Sequence, residues 1–120
     1  MTNPTSSDIN DDLGEAYDDI DGTTTTVVTR LITKAKATIK EITGTTTGYD
    51  TPIRELANAY CCQQILGSRS YQNVGVEGLN IGQKEILNMR DNFILYAEKA
   101  LRVKGYTLTG KHIRFEVVNI

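Results

Sequence analysis

The sequence predicts a mainly α-helical fold: a small bundle of three main helices and a conditional N-terminal helix, with a long glycine-rich loop and an extended, β-like C-terminal tail. Apolar residues recur every three or four positions through three long segments, as on one face of a helix. Strict alternation of apolar and polar residues occurs only near the C-terminus. A chain of 120 residues, 39% of them hydrophobic, accommodates one globular domain.

The first 26 residues predict an acidic arm. No base occurs before Arg30, whereas the remaining residues carry all 13 bases. This polar composition predicts disorder for the isolated arm. Five of its apolar residues nevertheless share one helix face, so we expect a conditional helix that forms against another surface. The acids are Asp8, Asp11, Asp12, Glu15, Asp18, Asp19 and Asp21, and the apolar residues are Ile9, Leu13, Ala16, Tyr17 and Ile20.

Residues 27–105 predict the helical domain. The first helix is expected from Val27 to Thr43, where Gly44 provides a left-handed cap. In the second helix, Thr51 is the expected N-cap and Pro52 the first helical residue.

The third predicted helix, Gln83 to Lys104, is the longest and ends at Gly105. Its apolar residues cover an arc too wide for one neighbouring helix, which indicates contacts with another subunit.

Two segments are predicted to bind partners. Residues 67–82 contain four glycines and no helical period, which predicts a long interaction loop. The extended tail, residues 106–120, predicts a strand where Ile113, Phe115 and Val117 alternate with polar residues. Tyr106 to Thr109 offers an internal hairpin partner, but a two-strand hairpin is marginal, so we expect pairing with another molecule. The candidate binding residues in the loop are Arg69, Tyr71, Val74, Val76, Leu79 and Ile81, and those in the C-terminal segment are His112, Ile113, Arg114, Phe115, Val117 and Ile120.

The residues offer little for catalysis. His112 is the one histidine, and Cys61 and Cys62 are adjacent, which favours core packing over a nucleophile or a disulfide. The acids of the arm lack the spacing of a calcium loop, and the loop glycines lack that of a phosphate cradle. We therefore expect no enzymatic activity, no metal and no cofactor.

Basic residues cluster around the end of the third predicted helix. A solvated helix end, whose cations complement the helix dipole, explains them most simply. The alternatives are a contact with the acidic arm and a small regulatory protein that binds nucleic acid through this cluster. The bases are Lys99, Arg102, Lys104, Lys111 and Arg114.

No apolar run is long enough to cross a bilayer, and Met1 to Asn10 lacks the pattern of a signal peptide. We therefore expect a protein made in the cytoplasm, with no membrane partner.

The order of these segments resembles the small head-tail connector proteins of tailed bacteriophages, also called adaptor or head-completion proteins. The resemblance covers roughly residues 23–105. It lies in VVTRLITKAKATIKEITG at 27–44, the proline-started TPIRELANAYCCQQIL at 51–66, a loop from Ser70-Tyr71 through Gly82, and a last long helix.

The resemblance implies a non-enzymatic structural protein of the virion neck, made in the host cytoplasm. About twelve copies would form a ring beneath the portal protein, a downstream tail or stopper protein would join the other end, and packaged DNA would pass through the lumen without specific contacts. Whether the C-terminal strand pairs with the portal or with a neighbouring subunit stays open.

Overall fold

A computed structural model describes residues 4–14, 17, 20, 24–66 and 76–108. These residues are mainly helical, as predicted, and no strand occurs within these ranges. The predicted C-terminal strand lies beyond them, as does the first part of the predicted loop. The helices are α1 (Ser6–Leu13), α2 (Thr24–Thr43), α3 (Asp50–Leu66) and α4 (Val76–Val103).

Helix α3 lies at the centre and packs against the other three helices. A helix that is buried on nearly every side carries small and apolar residues around its circumference. Eleven of its 17 residues are buried. They include the predicted apolar face and also Ala59, Cys62 and Leu66, which lie outside that face; the predicted face consisted of Ile53, Leu56, Ala57, Tyr60, Cys61 and Ile65. One polar contact also joins α3 to α2: the hydroxyls of Tyr60 and Thr38 are 3.0 Å apart.

Helix α1 is part of the same hydrophobic core. Thr5 and Asp8 form a capping box at its start, in which the Asp8 carboxylate accepts from the Thr5 backbone N–H at 2.9 Å. Ile9 is fully buried, and Leu13 and Ile20 are 5% and 4% exposed. The conditional helix therefore forms over Ser6–Leu13, and the surface that it contacts is formed by α2 and α3 of its own chain. Three residues of the predicted arm, Ile9, Leu13 and Ile20, thus belong to the same hydrophobic core as the helical domain.

The ends of α2 and α3 lie close to their predicted positions. Helix α2 begins at Thr24, three residues before the predicted start, and ends before Gly44, whose φ of +85° confirms the predicted left-handed cap. Helix α3 begins at Asp50, and the Ile53 N–H donates to the Tyr49 carbonyl at 3.1 Å. Pro52 is thus the third helical residue, where its missing N–H still costs no hydrogen bond.

Helix α4 differs most from the prediction at its start. It begins at Val76, so residues 76–82 are helical although the sequence placed them in the loop. Gly78 and Gly82 suggested a break, but one glycine costs a helix interior only about 1 kcal/mol. Extending an existing helix requires no new nucleation, which offsets that cost.

The C-terminal end of α4 matches the prediction. Gly105 has a φ of +88°, and the Tyr106 N–H donates to the Leu101 carbonyl at 3.0 Å. This pattern is a Schellman motif.

Candidate functional site

The structure describes few of the predicted partner-binding residues. His112, Ile113, Arg114, Phe115, Val117 and Ile120 lie outside the described residues, as do Arg69, Tyr71 and Val74. The other three predicted loop residues, Val76, Leu79 and Ile81, lie in the first two turns of α4. Their assignment to a loop was therefore wrong, because the helix begins before them. The other candidate contacts lie on α4, just after its end, and between α1 and α3.

The most exposed apolar side chains lie on α4. Leu95 is 43% exposed, Tyr96 49% and Val103 88%, and these are the exposed large hydrophobic residues of the described ranges. Ile86, Ala97 and Leu101 of the same helix are buried in the core. The sequence predicted an apolar arc wider than one neighbouring helix needs, and α4 does expose the part that α3 leaves uncovered.

The basic end of α4 is engaged in local contacts. Arg102 pairs with Glu98, one turn earlier. The Lys104 ammonium lies 4.9 Å from the ring centroid of Tyr49, within cation–π range. Lys99 is exposed, and Lys111 and Arg114 lie outside the described residues. Two of the three described bases are thus matched within the chain, which weakens the case for a nucleic-acid footprint.

The chain leaves α4 beside the loop between α2 and α3. The rings of Tyr106 and Tyr49 meet edge to face, with centroids 6.0 Å apart. Leu108, the last described residue, is 8% exposed and belongs to the core. These contacts fix the place from which the predicted C-terminal binding segment departs.

A polar network joins α1 to α3. Arg54 binds Asp12 with two hydrogen bonds, from Nε to Oδ2 at 2.6 Å and from Nη2 to Oδ1 at 2.7 Å. The Asn58 amide also donates to Asp12 Oδ2 at 2.7 Å, and Arg54 Nη1 lies 3.8 Å from Asp8 Oδ1. A planar guanidinium on a carboxylate gives the strongest geometry for such a pair.

The pKa values of two carboxyl groups in this region, Asp12 and Glu55, are shifted in opposite directions. Burial tends to raise the pKa of Asp12, but the hydrogen bonds from Arg54 and Asn58 and the charge of Arg54 outweigh it, so this pKa is lowered. Burial raises the pKa of Glu55, helped by the charge of Asp12. Glu55 Oε2 and Asn58 Oδ1 are buried without a hydrogen-bond partner. The site therefore holds Asp12 ionised and disfavours the charge on Glu55.

Arg54 was not predicted as a partner for the acids of the arm. One signal was present: Arg54 and Asn58 are four residues apart, so they share one face of a helix that is largely buried. A polar pair at such a position indicates a polar contact in the fold. The sequence did not show which acid Arg54 would bind, because the arm contains seven acids and only Asp8 and Asp12 contact Arg54.

The two cysteines are buried core residues, which confirms the interpretation favoured for them. Both are 0% exposed. Burial raises the pKa of each thiol to about 12, and the proximity of Cys61 and Cys62 adds to the effect for Cys61.

Buried thiols of this kind are expected to be unreactive in the folded protein. At pH 7, only about one thiol in 10⁵ would be ionised, because the thiolate is the nucleophile and its fraction falls tenfold per pKa unit. We expect an aromatic disulfide reagent to modify Cys61 and Cys62 at the rate of unfolding in native buffer, and both at once in urea. Rapid native modification of either thiol would contradict their burial.

No cluster of three metal-ligating side chains occurs in the part of the chain that the structure describes. None of the helices described is long and apolar enough to span a membrane.

Comparison with known proteins adds no relative. No protein-family model, no curated protein and no solved structure matches this chain.

Proposed function

We propose that this chain is a structural virion protein, a ring-forming head-tail adaptor that joins the portal of a tailed bacteriophage to the neck or tail. The observation that supports it most is the order of α2, α3 and α4: a helix ended by glycine, a proline-containing central helix, and a longest helix last. This is the order on which the sequence resemblance rests.

The surface of the molecule is compatible with a protein that works in an assembly. Helix α4 leaves large apolar side chains exposed, and two of them, Tyr96 and Val103, are seven residues apart and therefore share one face of the helix. Leu108, the last described residue, belongs to the core, so the predicted binding segment follows an anchored residue in the chain. In the proposed ring of about twelve copies, this segment pairs with the portal or a neighbouring subunit, and DNA passes through the lumen.

The test is assembly with a portal. The purified chain is mixed with the portal protein encoded on the same genome, and the mass is followed by light scattering over a concentration series. Negative-stain images of the large species should show rings with a central hole, seated on the portal. If neither the chain alone nor the mixture forms a ring, the proposal is wrong.

The C-terminal segment offers a sharper variant of this test. Deleting Ile113–Ile120 should abolish attachment to the portal and leave helical circular dichroism almost unchanged, because the described helices end at Val103. The matched control replaces the same eight residues with a Gly/Ser sequence of equal length. Attachment by the truncated chain at the level of the intact chain would contradict the role of this segment.

A further inference from the structure

Helix α2 is the one helix with an excess of bases among the four that the structure describes. It carries four bases and one acid, Glu41. Helix α1 carries acids only, and in α3 and α4 the acids equal or outnumber the bases. The charge of α2 is therefore not balanced within the helix. Its bases are Arg30, Lys34, Lys36 and Lys40.

The four bases form two rows on the outer side of α2. Arg30 and Lys34 are four residues apart, as are Lys36 and Lys40, so each pair lies along one side of the helix. Lys36 is half-buried and the other three are exposed. The two rows thus present cations on both sides of the surface that α2 turns away from the core.

A line of small residues separates the two rows. Thr26, Thr33 and Ala37 are spaced by seven and four residues, and all three are exposed. The Thr33 hydroxyl donates to the Thr29 carbonyl at 3.0 Å, so its proton is used within the helix. The exposed large hydrophobic residues of the described ranges all lie on α4. The outer face of α2 therefore offers cations without an apolar centre.

Three of these cations have no acidic partner in the part of the chain that the structure describes. No described carboxylate pairs with Arg30, Lys36 or Lys40. Lys34 differs, because its ammonium lies 4.6 Å from the ring centroid of Tyr60. At the basic end of α4, by contrast, two of the three described bases are matched within the chain. Helix α2 is thus the better candidate for an anionic partner.

The chemistry of this face fits a nucleic-acid backbone better than a protein surface. The buried centre of a protein–protein interface is apolar and depleted in lysine. Protein–DNA interfaces are more polar and much more positively charged. Helix α2 also contains neither asparagine nor glutamine, the side chains that read adenine. Its bases therefore suit phosphates, whose contacts carry no sequence information.

We propose that the outer face of α2 binds the phosphate backbone of duplex DNA, without sequence preference, through Arg30, Lys36 and Lys40. The contact deepens the proposed function, and its place in the assembly rests on that function: in a ring, α2 faces the lumen through which the DNA passes. The contact itself belongs to the single chain, so it can be measured without a ring.

The salt dependence of binding counts the phosphate contacts. The intact chain is titrated into a labelled short duplex at several low salt concentrations, and fluorescence anisotropy gives the association constant. Three contacts predict a slope of about −2.7 for log K against log salt, since each contact with duplex DNA contributes about −0.9. Two duplexes of unrelated sequence should give the same constant. A chain that does not bind at low salt, or that strongly prefers one sequence, would overturn the proposal.

Exposed lysines of α4 provide a control with the same change of net charge. The double variant Lys36→Gln, Lys40→Gln should weaken binding at least about tenfold and reduce the slope by about 1.8, because two contacts are lost. The double variant Lys84→Gln, Lys99→Gln should keep the slope of the intact chain, since both lysines lie on α4. Glutamine and lysine have similar helix propensities, and circular dichroism verifies that both variants are folded. Equal losses in the two variants would mean that net charge alone governs binding, and the α2 contact would be wrong.

A second competitor separates DNA from an acidic protein partner. Unlabelled duplex should displace the labelled duplex, whereas polyglutamate at the same concentration of charge should displace it poorly, because duplex DNA carries one charge per about 1.7 Å. Equal competition by polyglutamate would assign the face to an acidic protein surface and overturn the proposal. The failure of the proposed function is distinguishable: DNA binding through α2 by a chain that forms no ring with the portal removes the ring alone. A ring whose chains bind DNA equally with and without Lys36 and Lys40 removes the α2 contact alone.

Discussion

Replacing Ile9 with alanine is expected to lower the free energy of unfolding by about 2–4 kcal/mol, a large share of the stability of a domain of this size. Ile9 is fully buried in the core, to which all four helices contribute. The truncation removes apolar contacts and leaves a cavity that the surrounding side chains close only in part. Urea unfolding followed by circular dichroism measures the change.

Ser7→Ala is the matched control for Ile9→Ala, since Ser7 is exposed on the same helix. It should change stability by less than about 0.5 kcal/mol. If Ile9→Ala is as mild as Ser7→Ala, α1 does not belong to the core. A second transition at low urea would also contradict the single core, because it would mean that α1 unfolds independently of α3.

The helices with strong local signals were predictable from the sequence. For α2, the three-four apolar repeat predicts the helix and Gly44 predicts its end. Gly44 does adopt a positive φ. The same holds for the end of α4, where Gly105 forms the cap. Periodicity and glycine conformations depend on neighbouring residues alone, so they can be recognised without the tertiary structure.

The features that depend on tertiary contacts were harder to predict. Helix α1 lacks enough apolar residues to be stable alone, so its formation depends on α3, which lies more than 35 residues further along the chain. Helix α4 continues through Gly78 and Gly82, because helix extension offsets a cost that would stop a new helix. In both cases the local sequence disfavours a helix, and contacts or helix extension from the rest of the fold allow the helix to form.

The candidate binding surface was predictable in part. The wide apolar arc of α4 predicted contacts beyond the core, and the exposure of Tyr96 and Val103 agrees with it. The contact between Arg54 and Asp12 was not predicted, since residues 42 positions apart carry no periodic signal that connects them. The predictions for the loop residues before Val76 and for the C-terminal strand stay predictions.

Replacing Asp12 with asparagine is expected to destabilise the protein by about 1–2 kcal/mol at pH 7, because Arg54 loses its bidentate partner and Asn58 a charged acceptor. The value lies at the low end for a charge pair because the Arg54 side chain is 37% exposed and can be rehydrated. Asp11→Asn is the control: Asp11 precedes Asp12 and is exposed, so it should have little effect.

The effect of Asp12→Asn should depend on pH with a definite sign. The pKa of Asp12 is lowered in the folded protein from its ordinary value of 3.8, so its contribution is complete above that value and is lost as the pH falls through the folded pKa. Glu55, whose pKa is raised by burial and by the charge of Asp12, acts in the opposite direction, and the variant keeps only the part that is due to burial. The contribution of the Asp12 ion pair to the difference between the intact chain and the Asp12→Asn variant should therefore shrink below pH 4. A difference that persists unchanged to pH 2 would mean that the asparagine disturbs packing, and that the ion pair does not hold α1 on α3.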